Sequence, residues 1–239
     1  MLGLLEGIEE YNNQGALLGI EGIEDNELLG ALRRMNPIQR QRTVNKLANT
    51  GGNSRGSRAE MEKHFGELPV HIKESLLKGD LRLADTIIYS IKPVTSKTIK
   101  LFETQDDKEI GLRNLSNAKL QKNQVLLVSG IYLLAGTAAD ATKDKIVASN
   151  FKALEDFPAI ANGEFSLKSN KKQIVPETSN AIFKTTNYRQ VPLGYYKLAN
   201  PRLIHDDVLI ELTIELGTTD GIPANTYIFA GLHGTITTP

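Results

Sequence analysis

The clearest alternation of apolar and polar positions lies near the end of the chain. Val208, Ile210, Leu212, Ile214 and Leu216 share one parity, and Glu211, Thr213 and Glu215 share the other. Successive side chains of a strand point to opposite faces, so the pattern predicts one apolar face and one wet face. A turn signal follows at Gly217-Thr218-Thr219-Asp220-Gly221, with Pro223 just beyond it. Asn225–Thr237 then carries Ile228, Ala230, Leu232 and Ile236 in one register. These two segments are expected to form a long antiparallel pair that closes a β-sandwich.

The same period of two begins at Asp80. Leu81, Leu83, Ile87, Tyr89 and Ile91 share one predicted apolar face, and Pro93 ends the strand. Thr98–Thr104 is a second expected strand. Asn123–Ala135 is a third; it is apolar on both faces, which implies burial on both sides or packing against another subunit. Gly130 inside it marks an expected bulge. Thr137–Pro158 fits either a helix around Lys143–Leu154 or an inter-strand loop. Glu164–Lys168, Gln173–Val175, Ala181–Lys184 and Tyr195–Ala199 read as short strands. About eight to ten strands with turn signals between them predict one antiparallel sandwich over residues 80–239.

Residues 1–79 carry a helical period and predict an N-terminal arm. LEGIEE at 5–10 returns as IEGIED at 20–25, and LLG occurs at 17–19 and 28–30. Five glycines weaken any helix there (Gly3, Gly7, Gly15, Gly19, Gly22), so broken helical pieces or a segment that orders against a neighbour is expected. A cleaner helix starts at Asn26 as N-cap, and another at Asn36-Pro37. Thr50–Ser57 is a linker by composition. Ser57 and Glu60 form a capping box, with Met61 and Phe65 on one helical face. Pro69 opens a further helix with Ile72 and Leu76 on one face, and Gly79 ends it.

Charge adds one feature to this layout. The chain of 239 residues has 28 basic and 28 acidic side chains, so its net charge identifies no partner. Their distribution is uneven. Residues 1–32 hold Glu6, Glu9, Glu10, Glu21, Glu24, Asp25 and Glu27 and no Lys or Arg. Residues 33–59 hold Arg33, Arg34, Arg40, Arg42, Lys46, Arg55 and Arg58 and no acid. Clustered basic groups can neutralise phosphates without reading bases. They can equally pair with the upstream acids, in the same chain or in the next subunit.

Candidate chemistry is sparse. The absence of cysteine excludes disulfides, a thiol nucleophile and thiolate metal sites. His64 and His71 lie on separate expected helices without a ligand pattern. His205-Asp206-Asp207 offers ligand-type residues, but neighbours on an extended chain diverge, and a loop entering the next strand accounts for them. Gly52-Asn53-Ser54-Arg55-Gly56 matches a nucleophile elbow in letters, yet no buried strand leads into it. No phosphate-cradling glycine motif is present. A catalytic site, a cofactor, a bound metal and a small-molecule substrate are therefore not expected. The N-terminus lacks a basic leader region, and no apolar run approaches the ~20 residues that span a bilayer, so synthesis in a cytoplasm is expected.

Gly163–Lys168 (GEFSLK), Pro192–Ile204 (PLGYYKLANPRLI), Val208–Leu216 and Asn225–Thr237, behind a helical arm and a charged flexible segment, give the chain a recognisable layout. It resembles the single jelly-roll capsid proteins of icosahedral viruses, and more narrowly those of tailless bacterial viruses. The resemblance implies a mainly β fold: an antiparallel jelly-roll-like β-sandwich with an N-terminal α-helical arm. It implies a virion structural protein, a major or vertex capsid subunit made in the host cytoplasm. Its partners would be further copies and other virion proteins, with genome nucleic acid or an internal membrane met through the arm. The acidic segment departs from a simple genome-binding tail. A second reading is a binding module of a phage fibre or adhesin, in which Tyr195, Tyr196, Tyr227 and Phe229 meet a carbohydrate or receptor.

Overall fold

A computed structural model of the protein describes residues 57–185 and 192–239. The chain divides into two units, Met1–Gly66 and Glu67–Pro239. The acidic segment, the helices expected at Asn26 and Pro37, and the linker up to residue 56 lie outside the described residues. In the first unit, α1 spans Ser57–Lys63 and starts at the serine of the expected capping box. Met61 on it is buried.

In the second unit, Pro69 immediately precedes α2, Val70–Lys78, and Ile72 is its buried residue. Gly79 ends the helix at φ +82. Its N–H donates to Leu76 O at 3.3 Å, and that of Asp80 donates to Ser75 O at 2.9 Å. This left-handed cap favours glycine, which has no Cβ to clash.

Eight strands follow among the described residues: β1 Arg82–Pro93, β2 Thr98–Lys100, β3 Leu126–Thr137, β4 Glu164–Ser169, β5 Lys172–Ser179, β6 Tyr195–Ile204, β7 Ile210–Glu215 and β8 Thr226–Thr238. They make two antiparallel sheets of four strands, ordered β1-β8-β3-β6 and β2-β7-β4-β5. Ile88, Val128, Leu133, Ala230 and Leu232 of one sheet enter the same core as Ile99, Leu167, Leu212 and Ile214 of the other. Two sheets sharing one core make the arrangement of a β-sandwich. Each fully buried Leu, Ile or Phe contributes about 1.5–3 kcal/mol relative to an exposed one.

The expected closing pair is not a pair. β7 bonds to β2 and β4, whereas β8 bonds to β1 and β3. Alternation predicts which face is buried, not which strand lies alongside. The faces themselves are as expected: Ile210, Leu212 and Ile214 are buried, and Glu215 is exposed. The apolar faces of β7 and β8 meet the same core from opposite sheets, and the connection 216–225 carries the chain from one sheet to the other.

β1 is turned over relative to expectation. Ile88 enters the main core, while Ile87 is 37% exposed. Two adjacent isoleucines leave the parity of this strand ambiguous, and the register Ile88↔Leu232 decides it. Ile91, on the outer face, is buried in a second, smaller cluster with Ala138, Ile146 and Tyr227.

β3 is buried on both faces for most of its length. Its pairing with both β6 and β8 slips between Val128 and Gly130, which is the expected bulge. Between β3 and β4 the chain forms α3, Lys143–Val147, shorter than the helix expected there, then a 3-10 turn at Leu154–Asp156 and α4, Pro158–Ala161. Ala181–Lys184 is not a strand: Asn180–Phe183 is a 3-10 turn. Asn180 is fully buried and donates from Nδ2 to Ile160 O at 2.8 Å, which holds the turn against α4. The second expected strand ends at Lys100, although Leu101 N–H still donates to Leu212 O at 2.9 Å.

Candidate functional site

β1 is the edge strand of its sheet, and an unpaired edge exposes donors and acceptors to any passing strand. The long connection between β2 and β3 covers it. Ile91 N–H donates to Leu112 O at 2.8 Å. Asn114 acts as a side-chain mimic of a strand: its Oδ1 accepts from Tyr89 N–H at 2.8 Å, and its Nδ2 donates to Ile87 O at 2.8 Å.

Charges fix the base of this connection. Lys92 on β1 lies 2.6 Å from Glu103 and 2.8 Å from Asp106, and Arg113 lies 2.5 Å from Asp106. Arg113 also reaches Glu109 at 3.7 Å, and Lys143 at the start of α3 reaches the same carboxylate at 2.9 Å. Lys92, Asp106 and Arg113 are largely buried, so their attraction is less screened than that of surface pairs. The hydrogen bond from Lys143 holds the Glu109 carboxyl below its ordinary value, with further help from the Lys143 and Arg113 charges. This network ties β1, the covering segment and α3 together.

A cleft of about 580 Å³ opens between that segment and the β1-β8 side of the sheet. Ile88 and Ile236 contribute to its floor, and Lys108, Asn117, Lys119, Gln121 and Lys122 line it along the connection. Asp207 lines its far side. Asn117 takes a left-handed conformation within this wall, at φ 53, and the next residue, Ala118, is also left-handed, at φ 52, and buried in the core.

The outer face of the β1-β8-β3-β6 sheet carries an aromatic cluster. The pairings Tyr89↔Gly231, Gly231↔Tyr132 and Tyr132↔Tyr195 make one cross-strand row. The next row is Ile87, His233, Gly130 and Lys197. Cross-strand partners share a face, so these side chains are neighbours. Tyr132 and Tyr195 have ring centroids 4.7 Å apart, and His233 lies edge-on to both, at 6.2 and 5.6 Å. The Tyr195 hydroxyl and His233 Nδ1 are hydrogen-bonded at 3.2 Å. The ring of Tyr195 occupies the space above Gly130. All three rings are half-buried, and burial raises the Tyr132 phenol above its ordinary value.

The residues singled out from sequence fall in different places. Arg33, Arg34, Arg40, Arg42, Lys46 and Arg55 lie outside the described residues, as does Ser54. Arg58 falls on α1, where its side chain is not described. His205, Asp206 and Asp207 occupy the β6–β7 turn: Asp206 accepts from Asn123 N–H at 2.7 Å, and Asp207 is left-handed at φ 57. Among the described residues no three His, Asp or Glu side chains converge as a metal site. No helix among them is long and apolar enough to cross a membrane.

Of the four expected contact aromatics, two face inward or are covered. Tyr196 packs edge-on against Phe165 and Phe183 of the core, at 6.5 and 6.1 Å. Tyr227 is 6% exposed. Tyr195 and Phe229 remain half-exposed. Tyr132 and His233 escaped the sequence reading because their partnership depends on strand register, which a single strand does not reveal.

No protein-family model and no curated protein matches this chain.

Proposed function

We propose that this chain is a virion structural protein: a jelly-roll capsid subunit, major or at a vertex, of a tailless icosahedral bacterial virus. The observation that supports the reading is the strand pairing. β1 pairs with β8, β2 with β7, β3 with β6 and β4 with β5. A chain folded in half and then rolled gives these four pairs, and rolling adds the contacts β3·β8 and β4·β7. The resulting orders β1-β8-β3-β6 and β2-β7-β4-β5 support the jelly-roll reading of the two-sheet sandwich. A two-sheet block of this kind suits a subunit whose surface patches repeat by symmetry.

In this reading residues 1–79 act as the assembly arm. The acidic segment 1–32 and the basic residues Arg33, Arg34, Arg40, Arg42, Lys46, Arg55 and Arg58 contact neighbouring copies, other virion proteins, genome nucleic acid or an internal membrane. An arm that folds against its partner buries large area only on assembly. Size-exclusion chromatography with light scattering tests the reading. The full chain is expected to form oligomers, and deletion of residues 1–56 to abolish them while leaving a cooperative thermal transition. A full chain that stays monomeric at every concentration contradicts it.

A further inference from the structure

Three side chains on the outer face of the β1-β8-β3-β6 sheet, Tyr132, Tyr195 and His233, combine flat apolar surface with polar tips. Tyr195 lies over Gly130, held there by its hydrogen bond to His233 Nδ1 at 3.2 Å. Tyr132 stands beside it with ring centroids 4.7 Å apart. Among the described residues the Tyr132 hydroxyl makes no hydrogen bond, and His233 bonds through its ring only by Nδ1, so Nε2 is left over. Whichever tautomer His233 adopts, Nε2 offers one donor or one acceptor. Lys197 stands across Gly130 at the rim.

We infer that Tyr132, Tyr195 and His233 form a saccharide-binding site. A sugar ring has a C–H face that packs on an aromatic ring and a rim of hydroxyls that need partners. The cluster supplies both, on adjacent strands of one sheet, with one ring already locked in place. A flat apolar face from a second copy fits less well. It would bury the Tyr132 hydroxyl and His233 Nε2 without partners, and each buried unpaired group is costly. The inference goes beyond the capsid reading and does not depend on it.

The test uses the full chain. The protein is screened on an array of neutral and acidic glycans, and any saccharide retained is titrated while the His233 ring signals are followed by NMR. Binding is compared with Tyr132→Ala, His233→Ala and Tyr195→Phe, with melting temperature as the check on folding. Tyr132→Phe replaces Tyr132→Ala if the latter does not fold. The site is expected to bind at least one saccharide, to shift the His233 signals, and to lose about tenfold in affinity or more in Tyr132→Ala and His233→Ala. Tyr195→Phe keeps the ring but frees the imidazole, and a smaller loss is expected. The inference is overturned if no glycan is retained, or if a glycan binds the wild type and all three variants equally. Self-association that vanishes in Tyr132→Ala, with no glycan bound, also overturns it and assigns the face to a second copy.

Discussion

The ring of Tyr195 lies across Gly130 on the outer face of β3, in the space a side chain at that position would occupy. The bulge at Val128–Gly130, the glycine and the Tyr195–His233 hydrogen bond are therefore one device. Gly130→Ala is expected to push the ring aside and to cost about 1–3 kcal/mol. For a chain of this size each kcal/mol lowers the melting temperature by roughly 2–4 °C. Thermal denaturation of Gly130→Ala, Tyr195→Ala and the double variant checks this. The two changes should be less than additive, because the double variant has no ring left to displace.

Asp106 stands between two cations, Lys92 at 2.8 Å and Arg113 at 2.5 Å. All three side chains are less than one-fifth exposed, at 12%, 15% and 18% respectively. Asp106→Asn leaves both cations short of a counter-charge. The expected loss is on the order of 1–3 kcal/mol, below the ~3–5 kcal/mol typical of a fully buried pair. Urea unfolding measures it. Lys168→Ala, which removes a surface contact of 3.9 Å to Glu177, is the matching control and should change stability by less than about 0.5 kcal/mol.

Glu109, Asp140 and Glu177 all titrate below their ordinary values in the folded protein. The leading causes are hydrogen bonds from Lys143, from Thr142 and from the Glu177 backbone respectively. A carboxyl whose folded value is depressed stabilises the fold at any pH above its unfolded value. That contribution is lost as the pH falls through the folded value. Stability should therefore hold from neutral pH down toward 4.5, the ordinary value for Glu109, and fall below it. Melting curves of wild type and Glu109→Gln should differ at pH 7 and converge at strongly acid pH. A difference that grows on acidification contradicts the assignment.

Leu212 and Glu211 are adjacent on β7 and face opposite ways, the first 1% exposed in the shared core and the second half-exposed. Leu212→Ala is expected to cost about 2–5 kcal/mol. Glu211→Ala should stay within about 0.5 kcal/mol of wild type. Chemical denaturation of the two single variants reads the orientation of β7 directly. A larger loss from Glu211→Ala would reverse the faces.

Period-two alternation in the sequence reveals the strands, because one face of each meets the core. It identifies β7, β8 and the two-faced burial of β3, and Gly130 correctly marks the bulge. It does not reveal partners. β7 and β8 each present a regular apolar face, and that pattern is the same for a hairpin as for two strands facing each other across a core. β1 misleads because Ile87 and Ile88 are adjacent, so local sequence cannot choose the buried parity; the pairing Ile88↔Leu232 chooses it. The aromatic cluster is hidden for the same reason. Tyr132, Tyr195 and His233 are far apart in sequence and meet only through the registers of β6 and β8 on β3. The Lys92–Asp106–Arg113 network is equally nonlocal, carried by a connection without periodic structure.

Electron microscopy of the 239-residue chain under assembly conditions distinguishes a shell subunit from any other role. Closed shells of icosahedral symmetry are expected, with subunit density that fits two four-stranded sheets in the orders β1-β8-β3-β6 and β2-β7-β4-β5 and density for the arm on a neighbouring copy. Shells or fibres built without this chain, or a protein that remains a single copy under all assembly conditions, would contradict it.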